Sequence, residues 1–275
     1  MSDGTLPPVV DNHEAAMHWA GQMGSVLGTL QALPPSPAKL PFPIVGYSLY
    51  QVPADQRATS LVKKALQLGY RHLDTAAEYY NETETGQGIR ESGLPRSELY
   101  VTTKLRDNDY GFDPTTVAFN DSLKKLGLDY VDLCLIHSLH GGPRSRLESW
   151  RAMEQLHREG RVKSIDVSNY GLNQHDIAVA AYSPLSRGKK SDDPTLTKLA
   201  TKYNRTWVQI LVRWLIQRGY VALVKTVNEA RLATSIDVLD FELSDVDMKA
   251  LDALHEDLHV EPVEVTQFDL TLLHL

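Results

Sequence analysis

Beyond Pro43, short apolar runs alternate with amphipathic, helix-length stretches, and this rhythm constrains the fold more than any other property of the chain. Residues 43–50 (PIVGYSLY) read as a first strand and 55–68 as a helix, with Leu61, Val62, Ala65 and Leu68 on one face. Residues 71–74 form a short strand, and 81–92 a helix closed by Gly93. Residues 99–104 are β-rich, and Asp113-Pro114 opens a helix running to Gly127, since proline suits a first turn. Residues 130–137 give a fourth strand, 146–159 a helix ending at Gly160, and 162–168 a fifth strand. Repeated strand–helix units of this length predict parallel strands with helices packed outside.

After Ser168 the rhythm breaks. Residues 177–182 (IAVAAY) read as another strand, but only eight residues lie between it and Ser168. A parallel crossover needs a dozen or more. Eight extended residues reach at most about 28 Å, enough to return along a bare strand but not to include a packed helix. The pattern then resumes with helices at 195–203 and 208–217, a strand at 221–227 and a helical turn at 229–234. Ser244 is the expected N-cap of a last helix, with Asp247 three residues on. The tail from Val260 has no clear helical period and is left unassigned.

Residues 1–40 differ in character. Proline-rich stretches flank residues 12–33, whose stripe of Met17, Ala20, Met23, Leu27 and Leu30 would suit a weak amphipathic helix. The opening has no arginine and carries Asp3, Asp11 and Glu14, so it matches neither a secretory nor a mitochondrial leader. A flexible or loosely docked extension is expected there, with the barrel domain in 41–275. The 275 residues, 42% of them hydrophobic, can bury a sizeable core, and single α/β barrels are often this long. A net charge of -7 gives a polyanion no global footprint, so no nucleic-acid partner is expected. No apolar run approaches the roughly 18 residues of a membrane span. The lone Cys134 sits in an apolar run and reads as a small buried hydrophobe in a reducing, cytoplasmic setting. No spacing suggests a metal, and His72, His140 and His175 read as structural or exposed.

The chemistry concentrates where apolar runs stop. Asp74, Tyr79, Lys104 and His137 follow or end successive strands, and strand ends of a parallel barrel share one mouth. Singly, each has a plain reading: Asp74 a cap, Tyr79 a rim aromatic, Lys104 a solvated strand end, His137 a satisfied polar residue. Together they suit carbonyl reduction. A tyrosine hydroxyl can protonate a developing alkoxide if its pKa falls from about 10. A lysine ammonium beside it favours the phenolate, and a buried aspartate holds that lysine charged. A histidine opposite can hydrogen-bond the carbonyl oxygen and orient it.

The stretches DTAAEYYNE (74–82), VTTKL (101–105), LIH (135–137), VSN (167–169), AYSPLSRG (181–188) and VKTVNEARL (224–232) together resemble the aldo-keto reductases, in the family's order. The resemblance covers about residues 41–255 and implies a TIM-type (β/α)8 barrel that binds NADPH without a Rossmann domain. The lack of any Gly-x-Gly-x-x-Gly motif agrees. It implies Tyr79, rather than its neighbour Tyr80, as proton donor to a small-molecule carbonyl substrate. It also implies Ser168 and Asn169 at the nicotinamide amide, Tyr182 stacked on the ring, and Ser183, Pro184 and Leu185 near the pyrophosphate. Lys225, Thr226 and Arg231 resemble a clamp for the adenosine 2′-phosphate, which favours NADP over NAD because phosphate seeks cations, arginine above all.

Three departures from the family stand out. Gly46-Tyr47-Ser48-Leu49-Tyr50 replaces a Gly-x-Gly-Thr-aromatic pattern, and Ser138 follows His137 where many relatives carry tryptophan. Between VSN and AYSPL, relatives have a helix, a strand and another helix, about 40 residues at ordinary element lengths. Residues 170–176 stand in their place, so the expected fold is a barrel lacking one βα unit. Such a chain could remain open, recruit residues 12–33 as a patch, or dimerise across the gap. The expected function is NADPH-dependent reduction of an aldehyde or ketone, with a catalytically weak or inactive scaffold barrel as the alternative.

Overall fold

The computed structural model describes residues 43–169, 180–182, 184, 185, 188 and 190–254. The expectations for residues 1–40, for the first half of IAVAAY, for Ser183 and for the tail lie outside these residues.

Each strand is followed by a helix with its own start and stop signals. Strand β1 (Val45–Ser48) leads to α1 (Gln56–Gln67), where the Asp55 side chain accepts from the Arg57 amide as N-cap. β2 (His72–Asp74) leads to α2 (Glu82–Ser92), which stops at Gly93 because glycine takes the left-handed φ of 72°. β3 (Tyr100–Leu105) leads to α3 (Phe112–Leu126), with Pro114 in the first turn, where its missing N–H leaves no gap in the helix ladder. β4 (Val131–Ile136) leads to α4 (Pro143–Arg158), which starts earlier than its apolar period suggests because Pro143 presets the first helical φ. β5 (Val162–Val167) is followed by β6 (Ala180–Tyr182), α5 (Pro194–Tyr203) and α6 (Trp207–Gln217). A capping box between Thr206 and Gln209 starts α6. β7 (Val221–Val224), α7 (Glu229–Ile236) and α8 (Asp245–Asp252) complete the order, α8 being capped by Ser244 as its sequence suggests. β7 ends before Lys225, so Lys225 and Thr226 lie in the loop to α7 rather than in the strand.

The seven strands form one sheet in the order β5-β4-β3-β2-β1-β7-β6, and every neighbouring pair is parallel. Written as a ring, this is chain order with a single cut between β5 and β6. It is the sheet of a TIM-type barrel with one βα unit absent, curled but open where the short link falls. Burial follows the cut. β1, β2 and β7 are buried throughout, whereas β5 is mostly half-buried and β6 has two exposed residues of three. Edge strands beside the cut have no inner neighbour to cover them.

The main core lies between sheet and helices, with Val62, Leu66, Leu73, Phe119, Leu126, Met153 and Leu156 almost fully enclosed. Cys134 is buried there as expected. A second cluster of Leu196, Leu199, Ile210, Leu243, Met248 and Leu251 joins α5, α6 and α8. No helix among the described residues is long and apolar enough to cross a membrane.

α2 and α3 pack tightly where Gly86 meets the end of α3. A Cβ added to Gly86 in α2 would lie 2.0 Å from the Leu126 carbonyl oxygen at the end of α3. That oxygen is backbone and cannot swing aside, so the helices must separate. Gly86→Ala is expected to lower stability by about 1–3 kcal/mol, as overpacking does. Urea denaturation measures it, and an unchanged midpoint would show that α2 and α3 are not held this closely.

Candidate active site

β2 and β3 place the first three residues. Asp74 ends β2, and Lys104 lies in β3 two residues beyond Thr102, its register partner. Alternation sends both side chains inward at the mouth. The 3-10 turn Ala77–Tyr79 carries Tyr79 back over the strand ends.

Lys104 is almost fully buried, and its ammonium is shared among three partners, one by charge and two by hydrogen bonds. Nζ lies 2.7 Å from Asp74 Oδ2 as an ion pair, and donates to the Thr75 carbonyl at 2.9 Å and to Tyr79 Oη at 3.1 Å. Ser48 Oγ donates to the other Asp74 oxygen at 3.3 Å. An ammonium cannot accept, so the Tyr79 hydroxyl proton is not consumed by Lys104. Among the described residues no other hydrogen bond takes that proton. His137 faces the same phenol, with ring centroids 5.6 Å apart and planes inclined at 71°. Its ring nitrogens have no hydrogen-bond partner among the described residues. The four residues singled out in the sequence therefore meet. Two donors, the phenol and an imidazole N–H, are left to serve one acceptor placed between them.

The electrostatics differ from the sequence expectation in one respect. Burial raises the Tyr79 phenol above its usual value, and this outweighs the downward pull of Lys104. The phenol therefore rests protonated. Burial pulls Lys104 down, but Asp74 and Tyr79 together hold it above its ordinary value, so it stays charged. Burial, and then Lys104, push the His137 imidazole down to about 4, which leaves it neutral near pH 7.

The sequence did not single out the supports. Asn81, fully buried, accepts from Thr75 Oγ1 at 2.9 Å and donates to the carbonyls of Leu49 and Val52, each at 2.9 Å. Tyr50 packs edge-on against Tyr79 at 5.3 Å. Gly46, the first residue of the altered Gly-x-Gly-Thr-aromatic stretch, faces inward. An added Cβ there would lie 2.6 Å from Leu223 Cδ2 and 2.9 Å from His72 Nδ1, so glycine serves interior packing.

The residues expected at a cofactor ring the other half of the mouth. Asn169, at a left-handed φ of 66°, donates from Nδ2 to the His137 carbonyl at 2.7 Å. Its Oδ1 accepts from Tyr182 Oη at 2.5 Å, which links the ends of β5 and β6 across the cut. Ser168 donates its amide to the Ile136 carbonyl at 2.8 Å. Tyr182 is 49% exposed and stands in register with Leu223 on the inner face. Pro184 and Leu185 form a turn, with Leu185 packed on the core. The Thr226 carbonyl accepts from Tyr47 Oη at 3.0 Å. Arg231 sits in the first turn of α7, which Asn228 caps, and neither it nor Lys225 makes an ion pair among the described residues. Two unneutralised cations beside a helix N-terminus suit a phosphate group. No group of His, Cys, Asp and Glu among the described residues could hold a metal ion.

Comparison with known proteins adds a further observation. A family model described as the aldo/keto reductase family matches residues 46–186 and 172–256. The chain is 36% identical over 254 residues to the glyoxal reductase of Bacillus subtilis, covering 80% of this chain and 91% of that one. It is 34% identical over 255 residues to the 9,11-endoperoxide prostaglandin H2 reductase of Trypanosoma cruzi, covering 79% and 89%. Among solved structures, an aldo/keto reductase from Brucella melitensis superposes with a TM-score of 0.74 at 38% identity, covering 78% of this chain and 95% of that one. The Bombyx mori aldo-keto reductase in complex with NADP gives 0.73 at 34% identity, covering 81% and 92%. Since 80% of 275 residues is about 220, the 254-residue match to the Bacillus protein leaves about 34 positions with no counterpart here. The shortfall is close to the helix–strand–helix length expected to be missing.

Neutral buried histidines carry a pH signature. Burial also pushes His72 down to about 4, and its Nε2 pairs with Thr102 Oγ1 at 3.0 Å. In the unfolded chain a histidine takes up a proton near its ordinary pKa of about 6.5, but His72 and His137 in the fold do so only near 4. The stability they contribute is therefore complete above about pH 6.5 and is lost as the pH falls toward 4. Urea midpoints measured from pH 7 to pH 4.5 should fall less steeply for His72→Gln than for the wild type. Equal slopes would mean that His72 is protonated in the fold.

Proposed function

Because this chain belongs to the aldo/keto reductase family, we propose that it is an NADPH-dependent reductase of aldehydes or ketones with Tyr79 as the proton donor. The observation that carries this reading is the buried Lys104 ammonium, ion-paired with Asp74 and donating to Thr75 and Tyr79, while among the described residues nothing accepts the Tyr79 proton, which faces His137.

When bound, NADPH supplies the hydride that reduces the carbonyl carbon. Tyr79 and His137 both donate to the carbonyl oxygen and fix its position, as a neutral imidazole can do without bringing a charge into the mouth. As negative charge develops on that oxygen, the Tyr79 proton passes to it and the product leaves as an alcohol. The phenolate left behind lies 3.1 Å from the Lys104 ammonium, and Asp74 keeps that ammonium from being an isolated buried charge. A resting phenol raised by burial keeps its proton until the oxygen becomes basic enough to take it.

The proposed holders of the cofactor are Ser168 and Asn169 for the carboxamide, Tyr182 for the nicotinamide ring, and Ser183, Pro184 and Leu185 along the pyrophosphate. Lys225, Thr226 and Arg231 take the 2′-phosphate. Their fit rests on Lys225, in the loop before α7, and Arg231, in its first turn. Neither has an ion pair among the described residues, and two such cations suit NADPH better than NADH.

The first test is cheap. Added NADPH should quench the tryptophan fluorescence and be oxidised on addition of a simple aldehyde; neither response would favour the inactive scaffold barrel. Tyr79→Phe should lower turnover by about two to four orders of magnitude while NADPH still binds. Persistent turnover would remove Tyr79 from its role. Replacing both Lys225 and Arg231 with methionine and leucine should weaken NADPH binding far more than NADH binding, as titration of each cofactor would read. Equal losses would move the 2′-phosphate elsewhere.

A further inference from the structure

We propose that Asp107 sets the substrate class of this site, favouring uncharged carbonyls that carry a hydroxyl and turning away those that carry a carboxylate. The proposal rests on the reductase reading and adds to it a residue that takes no part in the proton transfer.

The turn Asp107–Asp109 begins three residues after Lys104, on the rim of the mouth. Asp107 is fixed against the residue that follows His137. Ser138 Oγ donates to Asp107 Oδ1 at 2.6 Å, and the Ser138 backbone is itself held on both sides by Tyr110. The Tyr110 hydroxyl donates to the Ser138 carbonyl at 3.1 Å and accepts from the Ser138 amide at 3.0 Å. The Asp107 carboxylate thus belongs to the wall next to the imidazole, and its field is felt at His137.

The other charges nearby are spent. Lys104 is paired with Asp74, and Arg106 with Asp109 at 2.9 Å. Asp107 Oδ2 lies 3.4 Å from His140, which is 78% exposed and carries charge only when protonated, and Tyr110 also lies within reach of the carboxylate. Among the described residues, Asp107 therefore presents a carboxylate on this wall with no lysine or arginine against it. A carboxylate only accepts, so it attracts hydroxyl donors on a substrate and repels a second carboxylate. Serine in place of an aromatic residue at position 138 makes this possible, because its hydroxyl fixes the carboxylate while leaving the wall polar.

Purified full-length protein with saturating NADPH tests this with three aldehydes: propanal, glyceraldehyde and succinic semialdehyde. The wild type should show kcat/KM highest for glyceraldehyde and lowest for succinic semialdehyde. Asp107→Asn keeps an oxygen for Ser138 and removes the charge. It should raise kcat/KM for succinic semialdehyde about tenfold and lower it several-fold for glyceraldehyde, with propanal within about twofold of wild type. A second measurement needs no variant. Raising salt from about 20 to about 500 mM should narrow the gap between propanal and succinic semialdehyde in the wild type, since screening weakens exposed charge. Unchanged ratios in Asp107→Asn overturn the proposal and leave the reductase reading standing. A wild-type preference for succinic semialdehyde also overturns it, and would indicate Arg106 as an anion handle. Failure of the wild type to reduce any of the three, with NADPH bound, rejects the reductase reading and this proposal with it.

Discussion

One buried ammonium organises the mouth of this barrel. Lys104 cannot stay charged out of water unless it is paired and hydrogen-bonded, and the partners it needs come from different places in the chain. Asp74 arrives from the end of β2, Thr75 offers its carbonyl just beyond, and Tyr79 is returned by a 3-10 turn. Ser48 supports Asp74 from β1. Three strand ends are thereby held to one point by a charge that would be costly to leave alone. Asn81 extends the same logic to the loop after β1, tying Thr75 to the carbonyls of Leu49 and Val52.

The two halves of the mouth are built differently. Around β1, β2 and β3 the inner face is closed, and the acid–base residues lie in the packed half. Around β5 and β6 the ring is cut, and Asn169 and Tyr182, which we propose hold part of the cofactor, border the opening. There Asn169 bridges the two sides, bonded to the His137 carbonyl on one and to the Tyr182 hydroxyl on the other. The cost of the absent βα unit falls on the strand edges, which lack ladder partners and inner cover, while Asp74, Tyr79, Lys104 and His137 still meet.

The elements were legible because their signals are local. Apolar period, Gly93 and Gly127 as stops, Asp55 and Ser244 as caps act within a few residues, so the sequence displays them directly. The cut could be read from the chain length between Ser168 and the next strand, since a helix cannot pack in so few residues. Boundaries were less legible: α4 starts at Pro143 rather than where its apolar period begins, and β7 stops short of Lys225. Asn81 and Tyr50 lie inside stretches that stood out in the sequence but took no role there, because their importance lies in what faces them across the fold.

The sequence alone determined the kinds of elements, their order, the short link after Ser168 and the four polar residues that end or follow successive strands, since composition and spacing fix these without reference to distant partners. Only the tertiary structure decided that β7 pairs with β1 so that the opening falls at the deletion. It alone showed that burial outweighs Lys104 at the Tyr79 phenol, and that the phenol proton remains unspent opposite His137. These depend on which groups share a desolvated space, and that is settled when strands far apart in sequence come into register.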